Sequence, residues 1–503
     1  MTKHLVIGPY RGNMNENLNG RSDLKQKTIS GIIWTAFQRY SRMLILFISD
    51  IILARLLTPF DYGCIGMLAI FMLIAEVFVD SGFGAALIQK KSPTQEDYST
   101  IFFWNIGLAV FLYAILFLSA PYIAQFYHIP LLSPVLRVQG VILFVYAFNI
   151  VQNSLIRKNL DFKVLSIVTI VTSIVSLLVT IVMAFHGYGV WSLVAQNILT
   201  AAIPAIVFWF YVKWRPVLTF SWKSFKELFS FGFYMFLIEL VSQFAYQIQG
   251  LLIGRFYTPS IMGYYSKAVQ TEKVASTSLS QVMSQVTYPL YATVQDDKET
   301  LRRMLRRLSM TLAYITFPLM FILILCAKPI FVLLYTERWL DCVPYFQILC
   351  ISGLAYSLQS VNYQSITAIG KSKVMFEWTV IKRVVGISFV VIGLLSFGMY
   401  GLLVGTVLHT WFSYFVNIYL VDKHIDYKFW NQLSDIMPVL IASVISAVIS
   451  HFCVNYISLG LYIDGIMKLI VYLIIYLSWS FFFKPEAFEY CKSYISSKIA
   501  HKR

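Results

Sequence analysis

The stretch ARLLTPFDYG, residues 54–63, returns as GRFYTPSIMG at residues 254–263. Arg55 aligns with Arg255, Thr58 with Thr258, Pro59 with Pro259 and Gly63 with Gly263, without a gap. Each copy leaves one long apolar run and enters another. Proline disfavours helix at the residue before it, and the glycine four positions on tolerates a tight re-entry, so each copy reads as a turn between two helices. A second reading gives the turns a gating role, with the lobes rocking about Arg55, Pro59, Gly63 and their partners Arg255, Pro259, Gly263.

The surrounding composition sets the medium. Of 503 residues, 58% are hydrophobic and 13% charged, where a soluble domain carries roughly 25% charged residues. Apolar windows of the roughly 20 residues that cross a bilayer recur along the chain. Fourteen such spans are expected, so the fold class is an all-α polytopic membrane protein. Placing the amino terminus inside gives the cytoplasmic loops and tails 28 of the 40 lysines and arginines. Basic loops are retained on the cytoplasmic side, so both termini are expected there, in an inner membrane. The +16 net charge then follows from topology and attraction to anionic headgroups, and no nucleic-acid partner is expected. The run Arg302, Arg303, Arg306, Arg307 just before a span reads as a membrane-surface anchor.

The two turns follow the first and seventh spans. Six helices separate them, so both copies enter the membrane in the same direction, as in a parallel internal repeat. The expected organisation is a tail (1–28), a six-helix lobe (29–212), an amphipathic linker (213–230), a second six-helix lobe (231–421), two extra helices (434–483) and a tail (484–503). Met14 opens a segment that also suits an amino terminus, and residues 1–13 are given no function. The six cysteines show no metal-ligand spacing and read as small apolar fillers.

Charge inside a bilayer costs at least about 2.5 kcal/mol per group on insertion scales, so intramembrane polar residues are the site candidates. Arg39, Arg42 and Asp50 fall within about 80° on one helix face. Span seven offers Glu239, Ser242, Gln243 and Tyr246 on the matching face. Span eight presents Lys267, Gln270, Thr271, Ser278, Gln281 and Gln285 within about 100°. These stripes are expected to line an aqueous cavity between the lobes. Arg39, Arg42, Lys267, Gln270, Ser278, Gln281, Gln285 and Gln243 are the candidate substrate contacts there. Arginine suits a pyrophosphate and the amides and hydroxyls suit sugar. Asp50, Glu76, Asp80 and Glu239 are the candidates for coupling to protons or sodium. For Glu76 and Asp80 a structural ion pair with Arg39 or Arg42 is the alternative, and Lys273, Lys382 and Arg383 are read as snorkelling to a surface.

Other classes lack their signatures. SITAIGKS (365–372) has Ser365 where a P-loop needs its first glycine. No loop is long enough for a catalytic domain, so the chain reads as a non-enzyme without a cofactor or metal. A gradient of ions or of substrate is expected to supply the energy.

The segments ILARLLTPFDYGCIGMLAIFMLIAEVFVDSGFGAALIQKK (52–91), TQEDYST (94–100), LLIGRFYTPSIMGYYSKA (251–268), FPLMFILILCAKPI (317–330) and ERWLDCVPYFQIL (337–349) resemble bacterial polysaccharide transport proteins. These include the O-antigen flippases of the multidrug/oligosaccharidyl-lipid/polysaccharide exporter superfamily. The resemblance covers roughly residues 30–430. It implies two six-helix lobes, with two further helices, around a cavity that opens to alternate sides. It also implies an undecaprenyl-pyrophosphate-linked glycan as substrate, for lipopolysaccharide, capsule or exopolysaccharide synthesis. By helix position, Arg39, Arg42, Arg55 and Arg255 stand where related flippases use arginines. Membrane lipid and glycan polymerase or assembly proteins are the other implied partners. The rival expectations are a cation-coupled small-molecule exporter of the same superfamily and a membrane glycan polymerase.

Overall fold

The computed structural model describes residues 19–457, 460–490 and 492, and every element among them is helical. Residues 1–13 and most of the carboxy-terminal tail lie outside the described residues. The chain divides into two compact units. One unit runs to Leu57 and from Leu68 to Phe244; the other holds Thr58–Met67 and everything from Ala245 onward. The first copy of the repeated turn therefore belongs to the same unit as the second.

In the first unit, α1 (Asn19–Leu56) packs along α7 (Phe162–Phe185). Gln38 Nε2 donates to Thr169 Oγ1 at 3.0 Å and Ser166 Oγ to the Trp34 carbonyl at 3.1 Å. α2 (Pro59–Asp80) stops at Ser81 and Gly82, whose positive φ values of 46° and 71° break the expected second span. α3 (Phe83–Gln89) follows, and Gly82 sits against the backbone of Gly232, where a side chain has no room. α4 (Gln95–Tyr127) starts at a capping box of Thr94 and Asp97, which satisfies two otherwise orphaned amide groups. α5 (Leu132–Gln139), α6 (Ile142–Lys158), α7 and α8 (Val190–Tyr211) complete the bundle.

The segment expected as a linker begins α9 (Trp222–Phe256). Phe225 and Leu228 are buried with Phe83, Tyr98 and Phe102. Beside them Lys90 lies 3.0 Å from both Asp97 and Glu227. Burial opposes charge on Asp97, yet bonds from the Thr94 amide, Lys90 and Ser224 hold its carboxyl below the usual range. Lys90 moves the other way, up: desolvation works against its charge, and the Asp97 and Glu227 carboxylates outweigh it.

The second unit contains α10 (Pro259–Thr293), α11 (Lys298–Leu325), α12 (Ala327–Tyr335), a 3₁₀ turn (Glu337–Trp339) and α13 (Cys342–Ala368). α14 (Ser372–Ile425), α15 (Phe429–Ile457) and α16 (Leu461–Phe483) follow. α14 is a hairpin, because Phe397 and Gly398 (φ 63°) leave helical geometry between its arms. Gly393 and Gly401 press against each other's carbonyls, and Gly405 meets the backbone of Phe389. Small residues let helix backbones approach in a medium where apolar burial gives no drive for association.

Among the described residues nine stretches are long and apolar enough to cross a membrane, one of them the hairpin. α1, α9, α10 and α13 fall outside that set, α10 because Lys267, Thr271, Glu272 and Lys273 interrupt its apolar face. With these four, and the hairpin taken as two arms, the helices account for the fourteen expected spans.

Candidate functional site

The two Thr-Pro turns are each other's packing partners. Pro59 and Pro259 each open a helix, where proline's fixed φ fits and its missing N–H is not needed. A methyl group on Gly63 would coincide with the carbonyl of Pro259, and one on Gly263 with the carbonyl of Pro59. One turn deeper, an added carbon on Gly66 would stand 2.8 Å from Met262 Cε and 3.0 Å from Ser266 Oγ. Gly66 and Ser266 are again equivalent positions of the repeat. α2 and α10 thus cross about a local two-fold that exchanges the copies. The copies differ at their caps: Thr58 Oγ1 donates to Asp61 Oδ2 at 2.7 Å, whereas Ile261 occupies the matching position and Thr258 has no side-chain cap bond. Arg55 and Arg255 are exposed at the preceding helix ends.

Four residues past the crossing glycine, Lys267 is fully buried. Its ammonium lies 4.0 Å from the Tyr62 ring centroid and 5.0 Å from those of Tyr335 and Trp339. Three aromatic faces around one cation make a cation–π cage. Met67, also fully buried, is its counterpart in the first copy. The structure thus seats Lys267 among rings; its neighbour Gln270 is exposed. Ser278, Gln281 and Gln285 also belong to α10, but their side chains lie outside the described residues.

One turn further, a chain of ionisable groups runs through the second unit. Glu272 is 6% exposed and hydrogen-bonds Ser276. Its Oε1 fills the space where Gly353 lacks a side chain. Glu272 lies in the field of Lys273; the Lys273 ammonium donates to the Tyr246 hydroxyl and lies 3.9 Å from that ring's centroid. Tyr356, bonded to Thr277, is in the field of both Glu272 and Arg383. Lys382, 5% exposed, donates to Asn417 Oδ1 at 2.9 Å, and Asn417 Nδ2 donates to the Gln359 carbonyl at 3.2 Å. His409 lies against Gly386, in the field of Arg383 and Lys382. Lys382 is therefore held in the interior rather than snorkelling. A buried carboxyl beside compensating cations is chemically able to exchange its proton for another cation, and such intramembrane groups are functional candidates by default.

The first unit has a separate polar set. Arg39 is half-buried and Arg42 exposed on α1. Tyr146 feels both Arg42 and Glu76. Asp80 accepts from the backbone N–H groups of Gly82 and Gly84 and is in the field of Glu239 and Arg157. Glu239 Oε1 accepts from Gln243 Nε2 at 2.6 Å. Asp50 is buried; beside it Ser49 Oγ accepts from Gln196 at 3.2 Å. The structure thus gathers Arg42 with Glu76, and Asp80 with Glu239 and Gln243. Asp80 also pins the α2–α3 break.

Glu272, His409 and Asn417 escaped the sequence reading. It followed amides and hydroxyls along one arc of α10, and Glu272 falls off that arc. The available signal was a carboxylate beside Lys273 and four residues before Ser276, on the side of α10 away from the polar arc.

A family model described as polysaccharide biosynthesis protein matches residues 52–344. The teichuronic acid biosynthesis protein TuaB of Bacillus subtilis is 26% identical over 357 residues, 71% of this chain and 74% of that protein. The lipopolysaccharide biosynthesis protein WzxC of Escherichia coli is 23% identical over 78% of this chain and 82% of its own length. Among solved structures, the lipid II flippase MurJ in an inward closed conformation superposes with a TM-score of 0.69 at 16% identity, covering 91% of this chain and 99% of MurJ. An inward-facing multidrug resistance MATE transporter of the MOP superfamily gives 0.60 at 14% identity, over 76% and 94%. At such identities the structural likeness shows the fold alone. The matched segment spans both copies of the Thr-Pro turn and the α2–α10 crossing they build: the chain is a multi-pass membrane protein of the polysaccharide biosynthesis protein family, on the helical fold of the MOP transporters.

Proposed function

We propose that this protein moves a lipid-linked oligosaccharide, carried on an undecaprenyl-pyrophosphate type of lipid, across the bacterial inner membrane by alternating access, with both termini cytoplasmic. The family match, which spans both repeat turns, is the observation that carries this reading. The cargo brings a pyrophosphate and sugar hydroxyls. Arg39 and Arg42 offer the first a forked, permanently charged partner, and Gln243 and Gln270 offer hydrogen bonds to the second. Proton or sodium coupling falls to the intramembrane carboxylates, with Glu272 joining Asp50, Glu76, Asp80 and Glu239. In this scheme the crossed turns form a fixed fulcrum.

MurJ is a lipid II flippase and the MATE protein a multidrug resistance transporter on one fold, so fold does not choose between glycolipid and small molecule. Guanidinium groups on α1 favour the anionic cargo. The direct test is a deletion strain: the account expects the lipid-linked glycan to accumulate in the inner leaflet and complementation to clear it. Normal surface glycan with no such accumulation would contradict it.

A further inference from the structure

Outside the groups assigned above, the strongest feature is a basic cavity at one end of the second unit. It has a volume of about 530 Å³ and is lined by Arg302, Arg303 and Arg306 of α11 and by residues of the α14–α15 junction, Asp426 to Lys428, together with Asp435. The positive-inside distribution assigns this end to the cytoplasm. Trp430, 76% exposed, marks the depth, because tryptophan favours the bilayer–water boundary.

Pairing inside the cavity is uneven. Arg306 is fixed: its Nε and Nη2 each lie 2.9 Å from Asp435, and Nη2 is 3.0 Å from Glu486. Asp435 also accepts from the Tyr427 hydroxyl. Lys428 is bound to Asp426 at 2.8 Å. Arg303 has two long contacts, both to residues of its own helix: Nε lies 3.8 Å from Glu299 and Nη2 donates to Thr300 Oγ1 at 3.5 Å. Arg302 makes no hydrogen bond or ion pair among the described residues and acts on Asp426 only through its field. Two guanidinium forks, one without a bond among the described residues and one held only at long range, thus stand beside a rigid frame. The field there is positive: burial pushes the nearby His424 ring below its usual range, and Lys371, Lys423 and Lys298 push it further.

We propose that this cavity binds a phosphate-bearing anion, with Arg302 and Arg303 as its ligands and Arg306 as the structural strut that holds them apart from Asp435. Guanidinium forks match phosphate oxygens bidentately, and basic pockets between helices at the cytoplasmic boundary are suited to anionic headgroups. Two sources present this chemistry: the phosphate of an anionic inner-leaflet lipid, or a soluble phosphate. The site does not depend on the nature of the transported cargo.

The test uses the full chain in nanodiscs, with native mass spectrometry and the unfolding midpoint as readouts. One arm compares phosphatidylcholine discs with discs containing cardiolipin; the other adds inorganic pyrophosphate to phosphatidylcholine discs. Retained cardiolipin with a raised midpoint identifies the lipid source, and a midpoint raised by pyrophosphate alone identifies the soluble one. In either case Arg302→Gln with Arg303→Gln is expected to weaken binding about tenfold. Lys328→Gln, in α12 just past the far end of α11, is expected to leave it unchanged. Should the double glutamine variant fail to insert, Arg302→Lys with Arg303→Lys keeps the charge, loses the fork and is expected to bind several-fold more weakly. Binding that is equal in wild type and variants, or absent in both arms, overturns the proposal.

Discussion

Gly63 lies directly against the carbonyl of Pro259, and Gly263 against the carbonyl of Pro59. The duplicated turn persists because each copy is the surface the other packs on: two prolines open the helices and two glycines let them cross. Any side chain at 63 or 263 must displace backbone. Gly63→Leu and Gly263→Leu are each expected to cost more than about 3 kcal/mol, the scale of severe overpacking, and to abolish monodisperse protein on size exclusion. Retention of the wild-type profile by either variant would contradict the crossing.

The same geometry predicts a cross-link. Gly66→Cys with Ser266→Cys, in a background lacking the six native cysteines, is expected to form a disulfide under mild oxidation, since the two positions are in contact. If the crossing is a fulcrum, the linked protein keeps transport within about twofold. Loss of transport that a reductant restores would show that the turns must separate.

Lys267→Met tests the aromatic cage. The variant places in the second copy the residue that Met67 already supplies in the first. Replacing a buried ion by an apolar side chain of similar volume is often neutral for stability, so the unfolding midpoint is expected to change little and transport to persist. A transport-dead variant with an unchanged midpoint would instead make Lys267 a cargo contact.

Glu272→Gln keeps the shape and the Ser276 bond but removes the exchangeable proton. The expected outcome is normal insertion with stimulation by a pH gradient lost, measured in proteoliposomes. Undiminished stimulation would move coupling to Asp50, Glu76, Asp80 or Glu239.

Stability should depend on pH through the Lys90, Asp97 and Glu227 tie. The folded Asp97 pKa is depressed, so its contribution is present above the unfolded value of about 3.9 and is lost as pH falls through the folded one. Lys90 is raised, so its contribution is present below about 10.4 and fades only at higher pH. Asp97→Ala leaves Lys90 without its buried partner and removes a cap, and is expected to cost roughly 3 kcal/mol at pH 7. The difference from wild type should shrink in acid, followed by unfolding in detergent at several pH values.

Much of the fold was legible because a bilayer reduces the choice to apolar helices, and the register of residues 54–63 against 254–263 named the repeat. The mutual contact of the two copies was not legible: sequence shows that Gly63 and Gly263 are equivalent, and only coordinates show that they meet. Lys267 illustrates a second limit. Its place on a polar stripe suggested water, but Tyr335 and Trp339, which close the cage, come from a different helix and a turn beyond it. The Gly82 break and the α14 hairpin turn on backbone at positive φ, which hydropathy does not register. Glu272 was hidden for a simpler reason, since it stands about 100° or more around α10 from most of the polar stripe that drew attention.

The most direct measurement reconstitutes the protein into liposomes with a labelled undecaprenyl-pyrophosphate glycan and follows its transfer between leaflets, with and without a pH gradient. The account predicts protein-dependent transfer that the gradient accelerates and that Arg39→Ala with Arg42→Ala reduces at least about tenfold, the scale of one lost charge-assisted contact. Transfer no faster than in protein-free liposomes, from correctly inserted protein, would contradict it.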